Sequence, residues 1–164
     1  HRGIARTFQI PQVFQTLSVY DNVRAGARFG QSTKKGSPRP IAEVIEFVGL
    51  EGKEDQVAAN LKLLDKKRTM IAVALATDPK LLLLDEPMGG MSPQEIRPAI
   101  ELVKRINREL GITVIIIEHF MKVITELSRQ MMVLESGARI CIGNPEEVTA
   151  NRQVIECYLG KSHA

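Results

Sequence analysis

Leu81-Leu82-Leu83-Leu84-Asp85-Glu86-Pro87 is an apolar run that ends in two adjacent carboxylates and a proline. Four consecutive leucines suit a strand buried on both faces in the middle of a parallel sheet. The carboxylates then fall at the carboxyl end of that strand, the edge where open α/β sheets bind their ligands. Asp85 can hold Mg²⁺, a hard cation that takes oxygen ligands and keeps some of its waters. Glu86 points the other way along the pleat and can orient or deprotonate an attacking water. Pro87 has no N–H to give to a ladder, so the strand stops there. The shape is that of a Walker B element, although a buried strand leaving for a loop through acid and proline has the same letters.

A second run moves the balance toward a nucleotide site. Ile112-Thr113-Val114-Ile115-Ile116-Ile117 is a β-branched hexamer, expected as another strand buried on both faces, and it ends in Glu118-His119. In a parallel sheet both tips lie on one edge and can share one site. An imidazole there can donate to a phosphate oxygen near neutral pH, which makes His119 a candidate γ-phosphate sensor.

The rest of the chain alternates helix and strand. Helical spacing marks Leu17 to Arg28, with Ser18 near its cap, and Ile41 to Val48, which Gly49 would end. Between them, Gly30 to Pro40 has the glycines, prolines and serines of a loop. A strong helix is expected from Asp65, taken as its cap, with Met70, Ile71, Ala74 and Leu75 on one stripe and Asp78-Pro79 at its end. A helix over about Pro93 to Leu110 follows the leucine strand. After the second strand come a helix near Met121 to Leu127, a strand near Met131 to Leu134, a turn at Ser136-Gly137 and a strand from Arg139 to Ile142. Two short helices close the chain. Such alternation predicts an α/β fold with parallel pairing.

Bulk properties exclude several classes. A 44% hydrophobic and 25% charged composition is that of an ordinary globular domain, and no apolar run approaches a bilayer span. The net charge of +3 carries no basic tract beyond Lys66-Lys67-Arg68, which reads as a solvated helix face, so no nucleic-acid partner is implied. Aromatics at 4% leave little for stacking on single strands. Cys141 and Cys157 lack metal-ligand spacing and are expected as buried thiols in a reducing compartment.

Taken together, these segments resemble the nucleotide-binding subunit of an ATP-binding-cassette (ABC) transporter, and most of all the branched-chain amino-acid importer type. Gly3-Ile4-Ala5-Arg6-Thr7-Phe8-Gln9 is similar to the Q-loop segment, Leu81 to Pro87 to Walker B, and Ile117-Glu118-His119 to the switch histidine. Gly143 to Val148 and Val154 to Gly160 match how such subunits end. The resemblance implies a P-loop NTPase-like α/β domain, a parallel sheet flanked by helices. Residues about 10–64 would form a helical subdomain that docks on transmembrane permease subunits, and about 65–164 the rest of the core. It implies ATP and Mg²⁺ as cofactors, with Asp85 and Gln9 toward the metal. Glu86 would act as base or water-orienting carboxylate, and His119 would hold the γ-phosphate. A second ATPase subunit would close head to tail around the nucleotides, cytoplasmic and peripheral on the inner membrane face, without inserting into it.

Two departures from the family pattern stand out. No Gly-x-x-x-x-Gly-Lys-Ser/Thr occurs in the 164 residues, so no P-loop cradles phosphates here. The chain therefore resembles the C-terminal two-thirds of such a subunit, its N-terminal strands absent, and is expected to be inactive by itself. The signature motif, usually Leu-Ser-Gly-Gly-Gln, reads Leu61-Lys62-Leu63-Leu64-Asp65. Leucines at both glycine positions would obstruct a partner's phosphate, Lys62 would attract it and Asp65 would oppose it. Gly89 and Gly90, beside the nucleotide by the same resemblance, lie where a Ser-Ala-Leu-Asp loop is usual. The rival functions are a non-catalytic docking or dimerisation module and a soluble ABC ATPase of DNA repair or translation.

Overall fold

The computed structural model describes residues 3–30 and 39–159, which form two compact units meeting between Glu118 and His119 in the chain. Most of the Gly30 to Pro40 loop, together with residues 1–2 and 160–164, lies outside the described residues.

The first unit is built on a parallel sheet in the order β1 (Ile4–Arg6), β2 (Leu81–Asp85), β3 (Thr113–Ile117). The register pairs Arg6 with Leu83, Leu83 with Ile115, and Asp85 with Ile117. Directly paired residues share a face. One face therefore carries Ala5, Leu82, Leu84, Val114 and Ile116, and the helices α3 (Leu63–Leu75) and α4 (Pro93–Leu110) pack beside β1 and β3. On that face Leu82 and Leu84 are fully buried. The opposite face carries Ile4, Arg6, Leu81, Leu83, Asp85, Thr113, Ile115 and Ile117. There Ile115 is 52% and Ile117 61% exposed. The expectation of two strands buried on both faces is thus corrected. β2 is half-covered on its second face, and β3 is an edge strand among the described residues, open on that face. Hydrophobic letters record what a strand can bury, and its neighbours decide what it does bury.

Helices α1 (Val19–Gly30) and α2 (Ile41–Phe47) pack with α3 into a helical layer. Ser18 caps α1, its Oγ accepting the Asp21 N–H at 3.0 Å, as expected from its position. Gly26 faces α3 so closely that a Cβ there would stand 2.5 Å from the Val73 carbonyl oxygen. Backbone cannot yield as a flexible side chain can. Gly26→Ala is accordingly expected to lower stability by about 1–3 kcal/mol, the usual cost of overpacking, read as a shift in the urea midpoint. An unchanged midpoint would mean that α1 and α3 are not so tightly apposed.

Two sequence expectations about α3 fail for one reason, its immersion in the unit. The helix begins at Leu63 with Lys62 at the cap position, so Asp65 is in the first turn and does not cap. Asp65 is buried and receives Lys53 Nζ at 2.7 Å. Nor is Lys66-Lys67-Arg68 a solvated face. Lys66 Nζ donates to Ala59 O, Arg68 Nη1 to Gly49 O, and Lys67, 3% exposed, to two carbonyls beyond β2. Turn carbonyls without ladder partners need donors, and long cations reach them.

The second unit comprises α5 (Met121–Leu127), the hairpin β4 (Met131–Glu135) and β5 (Ala138–Gly143), α6 (Pro145–Ala150) and α7 (Arg152–Leu159). Ser136 and Gly137 both take positive φ, 49° and 80°, the mirror-image turn that matches strand twist in a two-residue hairpin. Asn144 caps α6 reciprocally with Glu147. Met131, Val148 and Val154 form its core, with Met121, Ile124, Val133 and Ile140 packed around them. The cysteines are not buried as expected: Cys141 is half-buried and Cys157 exposed. Cys141 packs against the core of this unit without being enclosed by it, and Cys157 lies on the exposed side of α7.

Candidate functional site

The sheet's ladder ends where the carboxylates begin. Glu86 N–H donates to Ile117 O at 2.9 Å, the last bond across β2 and β3. At that residue φ is +41°, a left-handed conformation that costs a non-glycine residue roughly 1–3 kcal/mol. The turn sends Asp85 and Glu86 in different directions. Asp85 stays on the open face of the sheet, where Arg6 of β1 reaches its Oδ2 at 2.9 Å. Register explains the pair, because Arg6 stands beside Leu83 on that same face. Both side chains are partly solvated, so the contact orients Asp85 more than it stabilises the fold. Arg6 also lies 4.9 Å over the Phe8 ring.

Glu86 turns toward the segment after β1. Thr7 N–H bonds to Leu83 O at 2.9 Å and carries the chain past the strand end, and Gln9 Nε2 then donates to Glu86 Oε2 at 2.7 Å. Gln9, Asp85 and Glu86 are thus gathered at one sheet edge from segments 77 residues apart. Beyond Pro87 the loop folds back, Gly89 N–H reaching Glu86 O at 3.1 Å and Met91 N–H reaching Met88 O at 3.1 Å. A Cβ on Gly89 would lie 3.7 Å from Lys67 Nζ and 3.8 Å from Glu86 Oε2. Gly90, with φ +75°, is exposed, and a Cβ there would meet Leu63 Cδ2 at 3.0 Å. The loop and the first turn of α3 are neighbours.

At that first turn Lys62 and Leu63 are exposed and Leu64 is half-buried, while Asp65 is turned inward to Lys53. His119 opens the second unit, exposed, with its ring centroid 4.2 Å from that of Phe120. Its neighbour Glu118 ends the first unit at the tip of β3, buried, and its Oε1 accepts the Met88 N–H at 2.8 Å.

Three residues that matter to this geometry escaped the sequence reading as site residues: Arg6, Lys67 and Glu118. Lys67 left a signal. It sits three and four residues before Met70 and Ile71, on the apolar stripe of α3, where a charge calls for a partner. Burial pushes its pKa down, while the carboxylates of Glu118 and Glu86 push it back up.

The donor set fits Mg²⁺ as Mg²⁺ is usually bound, through one or two side-chain oxygens with phosphate and water completing the shell. Asp85 and the amide oxygen of Gln9 are the groups that would hold it. No cluster of three or more potential ligands that would suit an all-protein cage occurs among the described residues. ATP fits only in part, because the sequence contains no phosphate-cradling loop. Among the described residues no helix is long and apolar enough to cross a membrane.

Comparison with known proteins accords with this geometry. Residues 1–89 match the family model for ABC transporters, and residues 138–164 that of the branched-chain amino acid ATP-binding cassette transporter. The methionine import ATP-binding protein MetN of Corynebacterium jeikeium is 37% identical over 92% of this chain and 41% of its own length. The high-affinity branched-chain amino acid transport ATP-binding protein LivG of Escherichia coli is 30% identical over 98% of this chain and 69% of its own. The chain therefore spans about two fifths of the first of these relatives and about two thirds of the second. Among solved structures, an ATP-binding cassette of an ABC transporter in its ADP conformation superposes with a TM-score of 0.80 at 29% identity, over 97% of this chain and 69% of that one. The cbiO1 protein of Clostridium perfringens, part of the transporter complex cbiONQ, gives 0.78 at 32% identity, over 95% and 62%. With the strand-end carboxylates, the glutamine that meets them and the parallel sheet that carries both, these matches make the chain a member of the ABC transporter ATP-binding family.

Proposed function

We propose that this chain is the catalytic portion of an ATP-hydrolysing, energy-coupling subunit of an importer for branched-chain or related amino acids. The observation that carries the chemistry is the Gln9–Glu86 contact beside Asp85 at the end of β2. A carboxylate held by a neutral amide keeps its acceptor character and gains a fixed direction, which is what ordering an attacking water requires. Asp85 and Gln9 hold Mg²⁺, which when bound neutralises charge on the phosphates. His119 holds the γ-phosphate. Lys62, Leu63 and Leu64 face the nucleotide of a second ATPase subunit, with Lys62 supplying positive charge at a helix N-terminus, while Asp65, drawn inward by Lys53, does not reach it. Gly89 and Gly90 leave room beside the loop for the nucleotide. The segment of about residues 10–64, which carries α1 and α2, docks on permease subunits, and the protein works at the cytoplasmic face of the membrane without entering it.

Branched-chain amino acids are favoured as cargo by the match of residues 138–164. Methionine is the competing cargo on the MetN likeness. Disrupting the gene for this chain is expected to cut uptake of labelled leucine, isoleucine and valine at least about tenfold, with methionine uptake unchanged. Loss of methionine uptake instead would reassign the cargo, and no change in any would overturn the importer reading. A docking module without catalysis is the second reading, favoured by leucines at both glycine positions of the signature. It requires that no assembly containing this chain release phosphate in a Glu86-dependent way.

A further inference from the structure

Lys67 occupies a core position of α3 and is 3% exposed. Its Nζ donates to Glu86 O and to Pro87 O, each at 3.1 Å. Those two carbonyls belong to the turn in which Glu86 adopts its left-handed backbone. The next residue is held by the opposite charge: Met88 N–H donates to the buried carboxylate of Glu118 at 2.8 Å. Three successive residues, 86 to 88, are therefore gripped by a cation from the helix and an anion from the tip of β3. Glu118 and Glu86 also act on the ammonium itself, opposing the pKa depression that burial imposes. The gap over Gly89, within 4 Å of both Lys67 Nζ and Glu86 Oε2, keeps side chains from intruding between them.

A lysine serving only to join helix to sheet would be satisfied by any carbonyl in reach. This one takes the carbonyl of the reactive residue and that of its successor. We propose that Lys67 and Glu118 are positioning residues, a buried pair of opposite charges that locks the 86–88 backbone and so aims the Glu86 carboxylate at Gln9. The proposal rests on the reading of Glu86 as the water-orienting carboxylate, and neither residue touches substrate.

Two measurements test it. In an ATP-hydrolysing assembly built with this chain, Lys67→Met is expected to lower kcat about 10- to 100-fold while KM for ATP stays within about twofold, the pattern of a misplaced reactive group. Lys67→Arg, which keeps the cation, recovers most of the loss. In the chain alone, hydrogen exchange of the Met88 and Gly89 amides is expected to accelerate at least about tenfold in Lys67→Met, with α4 amides unchanged. Glu118→Gln, a milder change, releases the Met88 amide in the same way and serves if the lysine variant fails to fold. Absence of ATP turnover in the unmutated assembly would overturn the catalytic reading while leaving the exchange prediction to stand or fall by itself. Unchanged loop exchange in both variants, or equal acceleration throughout the first unit, would overturn the positioning role.

Discussion

Glu86→Gln is expected to lower ATP turnover by about 10²–10⁴-fold in an assembly that joins this chain to a P-loop, the range spanned by a lost general base. The amide is nearly isosteric, and the backbone that carries it is held by bonds that do not involve the replaced oxygen. Ile117 O accepts the residue's N–H, and Lys67 Nζ donates to its carbonyl oxygen. Fold and ATP affinity should therefore survive while chemistry fails. Phosphate release under single turnover, set beside nucleotide binding by filtration, separates the two. Turnover within a factor of about three of the unmutated assembly would remove Glu86 from the mechanism. The 164-residue chain assayed alone should release no phosphate above background, because no backbone cradle in it holds the phosphates. Release that disappears in Glu86→Gln would contradict that expectation.

The second large effect is on stability. Asn22 is 1% exposed, and its side chain closes the segment between the Q-loop glutamine and α1. Its Oδ1 accepts Phe14 N–H at 2.7 Å, and its Nδ2 lies 2.8 Å from Ser18 O and 3.1 Å from Phe14 O. Asn22→Leu keeps the volume and deletes every one of these bonds. The half-buried backbone groups of Phe14 would then be left without their present partner, and each such group that water does not reach costs about 1–3 kcal/mol. A net loss of about 3 kcal/mol is expected, measured by urea unfolding with an unchanged m-value. A loss below about 1 kcal/mol would show that water replaces the side chain and that Asn22 is no latch.

What the letters revealed and what they concealed divide along physical lines. The strands, the hairpin at Ser136-Gly137 and the stripe from Met70 to Leu75 were legible because each depends on local periodicity or turn chemistry. Asp85 and Glu86 stood out as the polar end of an apolar run and Gln9 through a family likeness, whereas the contact between Gln9 and Glu86 shows itself in the structure, where β1 lies parallel beside β2. Burial was less legible. Ile115 and Ile117 have the composition of core residues, yet they are exposed because the sheet face they stand on is left uncovered at β3 among the described residues. Asp65 looked like a cap until Lys53, twelve residues earlier, claimed it. Lys67 looked solvated because its partners are backbone carbonyls, which every residue type carries and no sequence displays.

The left-handed turn at Glu86 has a consequence on an evolutionary scale. Glycine would occupy that backbone without strain, and asparagine at smaller cost than glutamate. Mutational drift at this codon therefore has a thermodynamic slope that runs away from the carboxylate. Folding alone would let the position slide toward smaller residues, and only selection on chemistry opposes that slide. A lineage that no longer hydrolyses ATP with this chain should shed Glu86 early, gaining stability as it does so.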